Sequence, residues 1–152
     1  MAPLEVHRDE IRSRILDGAE SCLVRDGLQK TTIDDIAKAA GVSRATIYRY
    51  LEGGRDAIIL GVLLRICVRE LSRLVVELPR QHASFAGQLT EGDVQCLARA
   101  ETDEHPALLF SPEIVGMTGG IAGADEALTE RLSTMLRPIL EPARLRGEVR
   151  ED

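Results

Sequence analysis

Thr32–Arg55 reads TIDDIAKAAGVSRATIYRYLEGGR, and the order of its capping, aliphatic and small residues decides the fold of the chain around it. Thr32 followed by Asp35 at the third helical position is a carboxylate version of the capping box, and Ile33, Ile36, Ala37 and Ala40 repeat at helical spacing as one inward stripe. Gly41 follows the last of these and can take the left-handed conformation that ends a helix without a Cβ penalty. Ser43 can then cap a second helix at once. In that helix Ile47, Tyr50 and Leu51 lie at i, i+3 and i+4 and pack back onto the first, which leaves Ala45, Tyr48 and Arg49 facing outward. Two short helices joined by a turn specified at both ends form a helix-turn-helix, whose second member can enter a DNA groove.

The outward face has the chemistry for that task. Arg49 can make a bidentate contact with guanine and Ala45 is small enough to meet a thymine methyl, while Arg44, Thr46 and Tyr48 suit phosphates or base edges. Thr32, Ser43 and Tyr50 complete the expected DNA-binding set. The run Thr-Ile-Asp-Asp-Ile-Ala, the Gly41-Val42-Ser43 turn, the Thr46-Ile47-Tyr48 triplet and the Tyr50-Leu51 pair resemble the DNA-binding segment of the TetR family of transcriptional regulators. The resemblance covers about residues 8–60. It implies a three-helix bundle whose second and third helices are the helix-turn-helix. It also implies a phosphate contact from Arg55, which stands near the place of a lysine in the family's Ser-Lys-Glu type of sequence, after one extra glycine. Leu51 replaces the family's usual phenylalanine, a change that bears on packing more than on DNA contact.

Outside this stretch the chain supports an all-α fold. Its 152 residues, 44% of them hydrophobic and only 3% aromatic, allow a core built from Leu, Ile, Val and Ala. No apolar run approaches the roughly 20 residues that span a bilayer. The N-terminal MAPLEVHRDE is charged where a signal peptide needs an apolar segment, so a cytoplasmic protein is expected. Cys22, Cys67 and Cys96 are widely separated and lack CxxC spacing, so they are expected to be reduced and buried; no metal site and no cofactor is expected. The net charge of −6 is unevenly placed: residues 1–55 hold nine basic and nine acidic side chains, residues 56–152 ten and sixteen. Within Ser43–Arg55, Arg44, Arg49 and Arg55 oppose only Glu52, a local sign that favours phosphate.

In chain order, a first helix is expected over Arg8–Asp26, with Ile11, Ile15, Ala19, Cys22 and Leu23 as its apolar stripe and Gly27 as its stop. A DNA-binding domain over residues 1–55 is then followed by a helical regulatory region over residues 56–152, for effector binding and dimerisation. That region is expected to open with a helix over Asp56–Leu78 ended by Pro79. A helix near Phe85–Glu101 interrupted by Gly92 comes next, then two short helices divided by Pro106 and Pro112, and a last helix over Asp125–Glu148 bent at Pro138 or Pro142. Gly116–Gly123, GMTGGIAG, lacks the Lys-Ser/Thr ending of a P-loop and reads as a connector. By the family resemblance, the second region would hold a pocket for a small-molecule effector that releases a repressor from its operator; Phe85, Cys96, Leu109, Phe110 and Met117 are the candidate lining. The resemblance also implies a homodimer that sets two reading helices in successive major grooves roughly 34 Å apart. Such proteins continue with two further helices that form most of the dimer interface, and these are absent from this sequence. Either the sequence is a truncated form, or a dimer is expected to be weakened or to use another surface, such as the 125–148 helix.

Three other readings compete. A related helix-turn-helix can serve a recombinase. An enzyme using Cys96 or His105 with Asp103 or Glu104 lacks an evident cationic activator for the thiol and anything to position a nucleophile. A small-molecule-binding or protein-interaction module that has lost operator binding fits the absent dimer helices.

Overall fold

The computed structural model describes residues 3–114 and 126–149; among them every regular element is helical. The chain divides into two compact units, Met1–Arg65 and Ile66–Asp152.

The first unit contains α1 (Pro3–Asp26), α2 (Ile33–Ala40), α3 (Arg44–Tyr50) and the opening turns of α4 (Gly54–Gln81). α1 begins at Pro3 rather than at Arg8; a proline in the first helical position gives up an N–H that has no intrahelical acceptor anyway. Four of the five residues of its predicted stripe are core: Ile15, Ala19 and Cys22 have no exposed surface and Leu23 is buried with them, whereas Ile11 is only half-buried. Ile36 of α2, Ile47 of α3, and Ile58, Ile59 and Val62 of α4 are equally buried within this unit. α1 and α2 come so close at Gly18 that a Cβ there would stand 2.8 Å from the backbone nitrogen of Ala40. Arg65 reaches back to α1, 2.6 Å from Asp17 and 2.5 Å from the buried Glu20. These contacts carry the unit beyond residue 55, to Arg65.

The second unit holds the remainder of α4, α5 (Phe85–Thr102), α6 (Glu104–Ala107), a 3₁₀ turn (Leu108–Phe110), helical residues 112–114 and α7 (Glu126–Leu145). Pro79 does not end α4. It lies inside the last turn, where a missing N–H costs one bond, and the helix runs on to Gln81, with the His82 N–H donating to the Leu78 carbonyl at 2.9 Å. Nor does Gly92 interrupt α5: it is buried, and a Cβ there would meet Leu78 Cδ1 at 3.2 Å, so its lack of a side chain admits α4. Ser84 caps α5. Across this seam the buried Glu70 accepts from Arg99 Nε at 2.8 Å and Gln95 Oε1 accepts from Arg73 Nη1 at 3.2 Å, while along the helices themselves Arg99 holds Asp103 at 3.1 Å and Arg73 pairs with Glu77 at 2.8 Å. A buried carboxylate needs such partners, and they fix which residues of α4 and α5 face each other. Pro138 and Pro142 both lie inside α7, and the predicted Gly116–Gly123 connector lies outside the described residues.

Candidate nucleic-acid interface

The two short helices of the first unit are capped as their sequence dictates. Thr32 Oγ1 accepts the Asp35 N–H at 3.2 Å, while the Asp35 carboxylate accepts the Thr32 N–H at 3.1 Å and its hydroxyl at 2.5 Å. These donors, the hydroxyl first, hold the Asp35 carboxyl below the usual aspartate range. Gly41 sits at φ 63°, and the N–H groups of Gly41 and Val42 bond back to the carbonyls of Lys38 and Ala37. Ser43 Oγ then accepts the Thr46 N–H at 3.1 Å and lies 2.9 Å from Thr46 Oγ1, so both hydroxyls serve the start of α3.

With Ile47 buried inward, α3 turns Arg44, Ala45, Tyr48 and Arg49 to solvent. Tyr48 is 50% exposed, which excludes a core role for its ring. Thr46 and Tyr50 are half-buried. The Arg49 guanidinium stacks 5.0 Å from the centroid of the Tyr50 ring, a contact worth about 0.5–1 kcal/mol at an exposed site, so Arg49 is held without a carboxylate partner among the described residues. Arg44 is paired with Asp34 across the turn at 3.3 Å, both side chains being mostly exposed. Thr32 and Ser43 flank this face as exposed helix caps.

Arg55 is differently placed. Its Nε donates to the Thr31 carbonyl at 2.7 Å, its Nη2 donates to the Leu28 carbonyl, and its Nη1 pairs with Asp56 at 3.2 Å. All three nitrogens of the group expected to meet phosphate are thus engaged within the protein.

Two further residues support the interface and were not singled out in the sequence. Arg14 of α1 donates to the carbonyls of Ala40 at 2.9 Å and Gly41 at 3.3 Å, placing a cation at the negative end of α2. Gly18 lets α1 approach that same end. A glycine in the middle of an apolar stripe signals close helix approach, whereas nothing local marks Arg14.

Of the candidate effector residues, Phe85, Cys96 and Leu109 are half-buried, Phe110 is 48% exposed, and Met117 lies outside the described residues. A cleft of about 450 Å³ in the second unit is lined by Thr134, Arg137, Pro138, Glu141, Pro142 and Leu145 of α7. Burial pushes the Cys96 thiol up, and Glu70 adds to it, so the thiol stays protonated, opposite to what a cysteine nucleophile requires. Cys22 is buried, but Cys67 and Cys96 are only half-buried, short of the full burial expected; all three are free thiols. Among the described residues no group of His, Cys, Asp and Glu has the arrangement of a metal site, and no helix is long and apolar enough to cross a membrane.

Residues 15–56, which carry this capped helix pair and its support, match the family model for bacterial regulatory proteins of the tetR family. These residues form a DNA-binding segment of the TetR-family type. It is 27% identical over 142 residues to the HTH-type transcriptional regulator AlkX of Mycobacterium tuberculosis, a match that takes in 93% of this chain and 62% of AlkX. The chain thus spans less than two thirds of that relative. Among solved structures it is similar to Thermus thermophilus FadR, a TetR-family repressor in complex with lauroyl-CoA, at 25% identity and a TM-score of 0.61, covering 93% of this chain and 71% of FadR. A TetR-family regulator from Marinobacter aquaeolei shares the fold at 18% identity and a TM-score of 0.56, covering 97% of this chain and 90% of that one.

Proposed function

We propose that this chain is a DNA-binding transcriptional regulator of the TetR family, acting in the cytoplasm as a homodimeric repressor that leaves its operator when a small molecule binds the helical region. The observation that carries the proposal is the outward face of α3, where Ala45, Tyr48 and Arg49 project from a helix capped and anchored on its other side. Arg49 supplies base discrimination, and Arg44, Tyr48, Thr46, Ser43, Thr32 and Tyr50 supply backbone and flanking contacts. The effector class favoured by the FadR likeness is a fatty acyl-CoA thioester such as lauroyl-CoA, with Phe85, Cys96, Leu109, Phe110 and Met117 as the residues to probe.

Selection of duplexes from a random library, followed by the mass of the complex in solution, tests the proposal. The expected outcome is a pseudo-palindromic site bound by two protein chains, with affinity that falls linearly in log–log terms as salt rises. Recovery of no preferred sequence, together with salt-independent binding, would leave the proposal without support.

A further inference from the structure

We infer that Arg55 is a positioning residue for the reading helices, a guanidinium clamp on the α1–α2 loop, and not a phosphate contact. The loop from Gly27 to Thr31 must turn the chain between two helices while its carbonyls find donors. The Gly27 carbonyl is met from within the loop, by the Thr31 N–H at 3.3 Å and the Thr31 hydroxyl at 2.8 Å. The Leu28 and Thr31 carbonyls are met from outside it, by Nη2 and Nε of Arg55. Thr31 is 1% exposed, so water cannot take over the bond to its carbonyl, and an acceptor stranded there carries its full desolvation penalty. Thr31 also immediately precedes Thr32, the cap of α2, and α2 leads to α3 through the fixed Gly41–Ser43 turn. The fork of one guanidinium therefore ties the first turn of α4 to the residue that sets where α2 begins.

Lysine cannot replace it. An ammonium is a point charge on a flexible stem and lacks the planar fork that spans two carbonyls while its third nitrogen pairs with Asp56. A phosphate contact, by contrast, is served by either residue.

The inference rests on the DNA-binding proposal, and its test separates the two. Wild type, Arg55→Lys and Arg55→Gln are titrated with a library-selected duplex and with an unrelated duplex of equal length, over a series of salt concentrations, with active fractions fixed by stoichiometric titration. The clamp predicts that both variants lose about tenfold in preference for the selected duplex, keep their affinity for the unrelated one, and keep the wild-type salt slope. It also predicts about tenfold faster amide exchange at Thr31 and Thr32 in Arg55→Lys, a readout that needs no DNA. A phosphate contact predicts near-wild-type behaviour for Arg55→Lys, and for Arg55→Gln a slope shallower by about 0.9 with equal losses on both duplexes. That second pattern, or unchanged amide exchange in Arg55→Lys, overturns the clamp. Failure of the wild type to bind either duplex would sink the DNA-binding proposal and leave the exchange result to judge the clamp.

Discussion

Replacing Gly18 by alanine sets helix propensity against packing, and the geometry says which wins. In an exposed helix interior the change stabilises by about 1 kcal/mol, because alanine has the higher helix propensity. Here the new Cβ would lie 2.8 Å from Ala40 N and 3.2 Å from Ala39 C and Ala40 Cα. The shortest of these is about 0.7 Å inside the roughly 3.5 Å at which non-bonded heavy atoms sit comfortably. All three neighbours are backbone atoms, so no rotamer change relieves them and α1 must part from α2. Overpacking of this kind costs about 1–3 kcal/mol, and against backbone the upper half of that range applies. The net expectation is a loss of about 1–2 kcal/mol, at about 4–8 °C of melting temperature per kcal/mol for a unit of this size. Gly61→Ala is the internal control: its Cβ would meet only Leu16 Cδ2, at 3.1 Å, a methyl that can swing aside. It should be neutral or stabilise by up to about 1 kcal/mol. Calorimetry of both variants checks the argument, and a Gly18→Ala melting temperature at or above that of the wild type would refute it.

Other consequences follow from single contacts. Thr32→Ala removes the cap of α2 and should cost about 0.5–2 kcal/mol, measured by urea denaturation. Because the Asp35 carboxyl is held below its ordinary value in the folded chain, its contribution is complete above the unfolded value of about 4 and is lost as pH falls through the folded one. Acid titration of stability should therefore show a smaller loss in Thr32→Ala than in the wild type. Asp34→Asn frees Arg44 from its ion pair and removes a negative charge beside α3, so binding to an unrelated duplex should tighten at low salt; fluorescence anisotropy showing weaker binding would contradict this. Glu70→Ala removes the ion pair that Arg99 makes across the α4–α5 seam, leaving Arg99 to Asp103 and Arg73 to Glu77, and should destabilise by about 1–3 kcal/mol, the remaining partners and the part-exposure of both arginines limiting the loss; a thermal melt within about 0.5 kcal/mol of wild type would contradict this.

The helix-turn-helix was legible because its determinants are local. Thr32 with Asp35, Gly41 and Ser43 each fix a helix end through bonds spanning only a few residues, and the Ile33–Ile36–Ala37–Ala40 stripe fixes the buried side. Arg55 was less legible, since its partners Leu28 and Thr31 are distant in sequence and only the packed fold brings them within reach. Gly92 and Pro79 show the limit of reading breakers by residue type. Gly92 is tolerated because α4 packs against it, and Pro79 because the helix ends within a few residues. In the sequence the effector residues carry only apolar character, and in the second unit that character does not separate core from cavity lining.

The most direct measurement is the affinity of Arg49→Ala for a library-selected duplex and for single-base variants of it, relative to wild type. If α3 reads the major groove through this side chain, the variant loses about 1–3 kcal/mol of discrimination at one guanine position and keeps its binding to unrelated DNA. Full retention of the wild-type preference at every position would contradict the account.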